Sequence, residues 1–373
     1  MTSTLRPARV EVDLDNLRHN VRTLAGLVAP ASVLAVVKAD GYGHGAVPVA
    51  RAALEAGAVR LGVAIVQEGV RLREAGIDAP ILLLSEPPRQ AAAAVVRHGL
   101  TATVYTRAGI ESLGAAAAAV GAHLPVHLKV DTGMHRVGCT PDDAVGLARL
   151  VAEHPALVLE GVFTHFAVAD EPQDPYTAEQ VARFTGVLAA LDAEGLRPPL
   201  VHAANSAGAI AHPAARFDLV RVGITVYGIA PSDALDPVAG LRPVLRLTSA
   251  VSFVKRVPAG AHLSYGLRYE VVADSTIVTV PVGYADGVPR RLGEVGGEVL
   301  IGGARYPIAG TVTMDQLLVD VGDAEVVAGD EVVLIGRQGD EEITAADWAS
   351  RLGTIAYEIV CGIGPRVPRE YTG

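Results

Sequence analysis

The 373-residue sequence contains few cysteines and no long apolar run. Two cysteines, Cys139 and Cys361, are too few for a disulfide framework or a cysteine metal cluster, and such scarcity is typical of a reducing compartment. No segment reaches the roughly 18 apolar residues of a membrane helix, and the N-terminal residues MTSTLRPARVEVDLDNL lack the apolar core of a signal peptide. We therefore expect a cytoplasmic protein that has no metal, no membrane partner and no visible export signal.

Clusters of basic residues are also lacking. The net charge is −10, and the lysines and arginines are scattered rather than gathered into a run that would track phosphates. This distribution argues against nucleic acid as a partner. Half of the residues are hydrophobic and 19% are charged, which is a globular composition, and the length is sufficient for two domains.

Residues 32–222 alternate short apolar runs with alanine-rich segments of helical composition. The runs are β-branched or leucine-rich and predict eight strands, at residues 32–37, 61–65, 81–84, 101–104, 125–130, 157–165, 200–204 and 218–222. A preceding helix is predicted over 14–28, with an apolar face of Leu14, Leu17, Val21, Leu24 and Val28. Because parallel strands need helical crossovers, eight such units predict an α/β fold of the (β/α)8 barrel type, usually about 250 residues long. An open doubly wound sheet is the alternative on pattern alone.

The pattern changes after about residue 240. Apolar and polar residues alternate between glycine-rich turns, as in STIVTVPVGYADG and EVLIGGARYPIAGTV, and one clear helix is present at TAADWASRLG. These features predict a second, smaller and mainly antiparallel β domain. We place the barrel domain at 1–241 and the β domain at 242–373. The strand at 9–13 is one too many for the barrel, and we expect it to pair with the β domain.

Polar residues follow several of the predicted barrel strands. Chemistry in such barrels occurs at the carboxyl ends of the strands, so these residues should meet at one mouth. They are Lys38, Lys129, His165, Asn205, Ser206, Arg221 and Gly223.

Each of these residues also has a purely structural interpretation. Lys38 could extend its amine to solvent, His165 could be a hydrogen-bonded core histidine, and Ser206 could cap a helix. However, the apolar residues before Lys38 favour a neutral amine, the form that makes a Schiff base. A capped helix and a glycine turn after the last two strands are where barrels bind phosphate. Together these features point to pyridoxal 5′-phosphate (PLP).

Nine motifs, in this order along nearly the whole chain, resemble the alanine racemase family. They are VVKADGYGHG, DTGMHRVG, THFAVAD, HAANSAG, RVGITVYG, LSYG, VGYADG, TMDQ and IAYEIVCGIGPRVPR. The resemblance implies a PLP-dependent isomerase that interconverts L-alanine and D-alanine, and a role in D-alanine supply for peptidoglycan.

The resemblance also implies roles for individual residues. Lys38 is expected to bind PLP covalently and to act as one of two catalytic bases, with Arg221 at the pyridine nitrogen. Arg136 is expected to contact the cofactor and the substrate carboxylate, beside Lys129, which family members often carbamylate. The expected phosphate site is Tyr42, Ser206, Gly223, Ile224 and Tyr357, with Asn205 and His165 also at the cofactor. His165 and His202 are expected to support Tyr265 and Arg221, respectively.

Tyr265 is the expected second base, on the opposite face of the substrate. In the family it reaches the barrel of another subunit, so the resemblance implies a head-to-tail homodimer with shared active sites. Met314 would contact the substrate from the same subunit, with Tyr284 and Asp315 nearby. Many relatives carry a cysteine immediately before this Met-Asp pair, whereas this chain has Thr313, so no thiol can act there.

Three other functions are compatible with parts of the pattern. A PLP-dependent barrel decarboxylase would need an acidic partner for the ring nitrogen, where this chain has Arg221, and a cysteine acid. A non-catalytic PLP-binding protein would lack the β domain and Tyr265. A racemase of broader specificity is a closer alternative, because apolar pockets reject an added hydroxyl poorly and serine would be accepted.

Overall fold

The computed structural model describes residues 5–235, 238 and 240–373, which form two compact units. The larger unit comprises the described residues of Asn16–Gly41 and Ala46–Arg242. The smaller unit comprises those of Met1–Asp15, Tyr42–Gly45 and Pro243–Gly373. None of the helices in the described ranges has the length and apolarity needed to cross a bilayer.

The larger unit is built on eight parallel strands. After β1 (Arg9–Asp13), which belongs to the smaller unit, they are β2 (Ser32–Val36), β3 (Arg60–Val63), β4 (Ile81–Leu83), β5 (Ala102–Val104), β6 (Leu124–Lys129), β7 (Leu157–Phe163), β8 (Leu200–His202) and β9 (Leu219–Val222). The strands β4-β3-β2-β9 and β5-β6-β7-β8 pair in these orders. A parallel bridge between Leu82 and Thr101 joins the two sets, and Arg221 N donates to Ala204 O (2.9 Å) at the other seam. The predicted (β/α)8 barrel is confirmed, and the open sheet is excluded.

Helices alternate with these strands. They are α1 (Leu14–Val28), α2 (Ala46–Glu55), α3 (Val66–Glu74), α4 (Ala92–Arg97), α5 (Arg107–Ala118), α6 (Ala144–Glu153), α7 (Tyr176–Ala193) and α8 (Ser206–Ala211). The bounds predicted for α1 are confirmed, and Leu17, Val21, Leu24 and Val28 on its apolar face are buried. Burial of such a face supplies most of the stability of a helix of this length.

The smaller unit consists mainly of antiparallel strands. They are β10 (Leu245–Ala250), β11 (Phe253–Val257), β12 (His262–Leu263), β13 (Tyr269–Glu270), β14 (Ser275–Val280), β15 (Glu298–Ile301), β16 (Ala304–Pro307), β17 (Leu317–Gly322), β18 (Glu331–Gln338), β19 (Glu341–Ile343) and β20 (Arg369–Thr372). The largest sheet has the order β16-β15-β18-β10-β1-β20, with β19 paired to β18. In it β1 runs antiparallel to β10 and parallel to β20. The smaller unit therefore contains strand 9–13 and Tyr42–Gly45 in addition to the C-terminal residues.

The prediction of one clear helix in the C-terminal part was incomplete. Helix α9 (Ala345–Leu352) is the predicted one, and Thr344 caps it by accepting from Asp347 N. A second helix, α10 (Ala356–Gly362), follows at once. The N-cap residue of α10, Ile355, has no side chain that can accept a capping hydrogen bond, and the helix sequence AYEIVCG contains β-branched residues. Helix α10 therefore lacks the local sequence signals that predicted α9.

Candidate active site

Lys38 lies two residues beyond the end of β2, at the start of an unusual turn. Ala39, Asp40, Gly41 and Tyr42 have φ angles of 51°, 52°, 64° and 52°. Three of these four residues carry a Cβ atom, for which the left-handed conformation costs about 1–2 kcal/mol each. Strain of this kind persists only where surrounding contacts impose it, and it is concentrated at functional sites.

Two carboxylates hold this turn in place. Glu68, in the first turn of α3, accepts from Ala39 N through Oε1 (2.7 Å) and from Ala64 N through Oε2 (2.8 Å). Asp40 accepts from Ala46 N (3.0 Å), and its carboxylate lies 3.2 Å from Arg71. These contacts hold the backbone that immediately follows Lys38, and so they fix the position from which its side chain extends.

Lys129, the last residue of β6, is buried at the same end of the barrel. Its Nζ donates to Leu84 O (3.2 Å). Burial, reinforced by the positive charges of Arg221, Arg136 and Lys38, lowers the pKa of Lys129 to about 7. The cationic side chains of Arg221, Arg136 and Lys38 therefore all lie within electrostatic reach of Lys129.

Arg221 lies within β9 and is almost completely buried. Among the described residues it donates to four uncharged acceptors, the Nδ1 atoms of His202 and His165 (3.0 Å each) and the carbonyls of Thr164 (2.8 Å) and Ala203 (2.9 Å). Burial lowers its pKa to about 9, so the guanidinium stays charged at neutral pH. The expected contact between His202 and Arg221 is present. His165 lies two residues beyond β7, which is shorter than predicted, and in this chain it pairs with Arg221.

Three residues beneath Arg221 were not identified from the sequence. His127 lies between His202 and Glu160, and Glu160 pairs with Arg60. His127 could have been found, because it precedes Lys129 by two positions and so shares its face of the strand. Glu160 and Arg60 carried no such signal. Phe163, also missed, stacks on His202.

Asn205, Ser206, Gly223 and Ile224 form a compact cluster after the last two barrel strands. Asn205, rather than Ser206, caps α8 by accepting from Gly208 N (2.9 Å). Ser206 Oγ accepts from Gly223 N (2.9 Å) and Thr225 Oγ1 (3.1 Å), which leaves its own proton for donation to a further group. Ile224 begins a short 3₁₀ turn directly after Gly223.

The other predicted site residues belong to the smaller unit. The rings of Tyr42 and Tyr357 lie 6.1 Å apart, and burial raises the pKa of Tyr42, so its hydroxyl keeps its proton. Tyr265, Tyr284 and Met314 are all exposed, Tyr265 by 69%.

Hydrogen bonds connect the loops that carry these exposed residues. Thr311 Oγ1 donates to Tyr265 O (3.1 Å), and Tyr284 N donates to Thr313 O (3.0 Å). Asp315 accepts from Arg366 (2.8 Å). Tyr265, Tyr284 and Met314 therefore lie on connected loops of one unit.

The chain matches two family models. The model described as alanine racemase, N-terminal domain, covers residues 12–231, and that described as alanine racemase, C-terminal domain, covers residues 244–371. The chain is 50% identical to an alanine racemase of Symbiobacterium thermophilum, over 99% of this chain and 98% of the relative. It is 44% identical to one from Desulfovibrio desulfuricans over the full length of both. The crystal structure of alanine racemase from Streptomyces lavendulae superposes with a TM-score of 0.94 at 41% identity, over 100% of this chain and 98% of that one.

Proposed function

We propose, from the premise that this chain belongs to the alanine racemase family, that it interconverts L-alanine and D-alanine with PLP as cofactor. The observation that carries the proposal is that the positive charges of Lys38, Arg136 and Arg221 all act on the buried Lys129 at the barrel mouth. Three cations and a buried lysine around two neutral histidines are costly to assemble unless anions bind among them. A phosphate and a substrate carboxylate would supply those anions.

The residues at this mouth suit PLP. Lys38 would hold the cofactor covalently through Nζ, and Arg221 would donate to the pyridine nitrogen, since an arginine cannot accept a proton there. Ser206 and the main chain at Gly223 and Ile224 would bind the phosphate, with Asn205 fixing their position. When bound, the cofactor supplies an electron sink for the charge left at Cα. Phosphate binding by Tyr42 and Tyr357 stays a prediction.

Racemisation requires a base on each face of Cα. Lys38 Nζ would take or return the proton on one face after substrate has displaced it from the cofactor. Tyr265 of a second subunit would do so on the other face. An ordinary tyrosine has a pKa near 10, so its phenolate needs neighbouring positive charge or a hydrogen bond. His165, held by Arg221, would provide that hydrogen bond.

The substrate carboxylate would bind to Arg136. Carbamylation of Lys129 would place an anion beside Arg136 and orient it. This modification needs a neutral amine, and a lysine with a pKa of about 7 supplies one at physiological pH.

The site would be completed by dimerisation. Exposed Tyr265, Tyr284 and Met314 lie on loops tied to one another, and side chains of this kind are typical of interfaces. In a head-to-tail homodimer they would enter the barrel mouth of the other subunit. We place the enzyme in the cytoplasm, where it would supply D-alanine for peptidoglycan.

Mixed dimers test this arrangement. Lys38→Ala and Tyr265→Phe subunits should each be inactive, whereas reassortment should create dimers in which one of two sites has both bases. In a symmetric dimer with random mixing, about a quarter of the wild-type racemase activity should return. Failure of the mixture to regain activity would exclude shared sites. A purified protein that neither binds PLP nor racemises alanine would refute the function itself.

A further inference from the structure

A continuous chain of hydrogen bonds runs through the barrel interior to Arg221. His202 Nδ1 lies 3.0 Å from Arg221 Nη1, and His202 Nε2 lies 2.8 Å from His127 Nδ1. His127 Nε2 in turn lies 2.9 Å from Glu160 Oε2. Glu160 pairs with Arg60, the first residue of β3. The chain therefore starts toward the end of the barrel opposite Lys38 and ends at the mouth.

The chain admits one arrangement of protons when both rings are neutral. Arg221 can only donate, so His202 Nδ1 must accept and its proton must lie on Nε2. That N–H donates to His127 Nδ1, so the proton of His127 also lies on Nε2 and points to the Glu160 carboxylate. Burial lowers the pKa of both histidines, which agrees with neutral rings.

Glu160 reaches this position through a β-bulge. The register of β6 and β7 shifts between Val126 and His127, so that His127 pairs with Gly161 and Glu160 is the extra residue. Bulges reorient side chains and are enriched near active sites. Gly161 leaves the space that the ring needs, since a Cβ atom there would lie 2.5 Å from His127 Nδ1. The bulge at Glu160 and the glycine at position 161 thus both allow the contact between Glu160 and His127.

Glu160 affects His127 through the hydrogen bond that it accepts, more than through its negative charge. Arg60 binds it through two parallel hydrogen bonds of 2.8 Å each, so its charge is balanced locally. Burial would raise the pKa of Glu160, but the hydrogen bonds from His127 and Arg60 outweigh it and lower the value to about 2. The carboxylate is therefore a permanent acceptor for His127.

We infer that Glu160 and His127 are positioning residues for Arg221, acting through the tautomer of His202. If His202 carried its proton on Nδ1, two N–H groups would oppose each other and Arg221 would lose this partner. The effect on catalysis rests on the proposed function, in which Arg221 faces the cofactor. The proton arrangement itself belongs to the protein alone.

Nuclear magnetic resonance of the apoprotein, labelled with ¹⁵N-histidine, tests the arrangement without cofactor or turnover. His127 and His202 should both show the pattern of a neutral ring protonated on Nε2. A His202 ring that is protonated on Nδ1, or doubly protonated, at neutral pH would overturn the inference. This outcome is independent of whether the protein is a racemase.

Two variants of His127 test the effect on the reaction. His127→Asn offers an acceptor near the position of Nδ1, whereas His127→Leu fills the space without one. We expect His127→Leu to lower kcat by about 10- to 100-fold, as loss of an orienting partner does elsewhere, with KM changed by less than about threefold. His127→Asn should stay within about threefold of wild type in kcat.

The control for general destabilisation is Phe184→Leu, which removes a buried ring from α7. It should lower stability and leave kcat unchanged. Equal kcat losses in the Asn and Leu variants, or a wild-type kcat in His127→Leu, would overturn the inference. If His127→Leu does not fold, the histidine spectrum of the wild-type protein still decides.

Discussion

The ring of Phe163 lies flat against the ring of His202, with centroids 4.6 Å apart and planes within 7° of parallel. The same Phe163 ring lies 5.3 Å from Lys129 Nζ and 5.1 Å from Arg221 Cζ, within the range of cation–π attraction. One apolar side chain thus fixes the plane of His202 and faces two cations of the mouth. Phe163 therefore orients polar residues of the site in addition to packing in the core.

Replacement of Phe163 by leucine should therefore affect both stability and activity. We expect Phe163→Leu to lower the free energy of unfolding by about 1–2 kcal/mol, because contacts are lost in a close-packed interior. It should also lower kcat, because the plane of His202 is no longer held. The control Phe184→Leu should lower the free energy of unfolding by a similar amount and leave kcat unchanged. Urea unfolding measures the stability of both variants, and steady-state kinetics measures their kcat. If the two variants have the same kcat, Phe163 contributes only packing.

The depressed pKa of Lys129 should appear in the pH dependence of stability. Above about pH 7 the folded state has released the Lys129 proton, whereas the unfolded chain keeps it up to about 10.5. Since the unfolded state then binds more protons, stability should rise with pH across this window, by about 1.4 kcal/mol per pH unit. Below pH 7 both states are protonated and this slope disappears.

The comparison that isolates this effect is with Lys129→Met, measured by urea unfolding of the apoprotein in buffers free of carbon dioxide. The wild type should gain stability relative to the variant between pH 7 and 10.5, the window set by the two pKa values. Parallel curves would show that Lys129 titrates normally. Added bicarbonate should stabilise the wild type further relative to Lys129→Met if the folded-state amine is carbamylated, because only the folded state then binds it.

Tyr265→Phe should separate cofactor binding from proton transfer. Removal of the proposed second base should lower kcat by at least about 100-fold, the usual contribution of acid–base catalysis. The variant should still show the visible absorbance band of bound PLP, and borohydride should still abolish that band, because Lys38 is intact. Tyr306→Phe, on β16 of the same unit, is the matched control and should leave kcat unchanged. Full activity of Tyr265→Phe would exclude the two-base assignment.

Glu68→Gln should loosen the turn behind Lys38. Glutamine has one carbonyl oxygen, so it cannot accept from both Ala39 N and Ala64 N, which Glu68 satisfies with separate oxygens. We expect a loss of about 1–2 kcal/mol in the free energy of unfolding and weaker retention of PLP on dialysis. Glu74→Gln, at the exposed end of the same helix, should change stability by less than about 0.5 kcal/mol. Equal behaviour of the two variants would contradict this role of Glu68.

Gly283→Ala should separate the loops that carry Tyr284 and Met314. A Cβ atom at Gly283 would overlap the carbonyl oxygens of Thr313 and Met314, to which this segment is bound. Forcing the loops apart should cost about 1–3 kcal/mol of unfolding free energy and weaken the proposed homodimer in analytical ultracentrifugation. Gly362→Ala, where no atom lies within 4 Å of the added Cβ, should change neither. A wild-type dissociation constant for Gly283→Ala would contradict the expectation.

Local sequence pattern carried much of the fold. The 3.6-residue repeat of Leu17, Val21 and Leu24 predicted α1 to the residue, and the alternation of apolar runs with helical segments predicted the barrel. The pattern failed where local signals were weak, as in uncapped α10, or where a strand ended early, as β7 does before His165. The order of the barrel strands also implied which polar residues would share the mouth, because the carboxyl ends of parallel strands lie together.

The sequence by itself determined the barrel, the β domain and the family, since each depends on periodicity or on motifs that can be read along the chain. Only the tertiary structure decided which hydrogen-bond partners and aromatic rings surround each charged or polar side chain of the site. The bulge that turns Glu160 toward His127, the turn that Glu68 holds, and the stack of Phe163 on His202 join residues far apart in sequence. Hydrogen bonds and desolvation depend on distance and direction in space, and neither property is written in the spacing of residues along a chain.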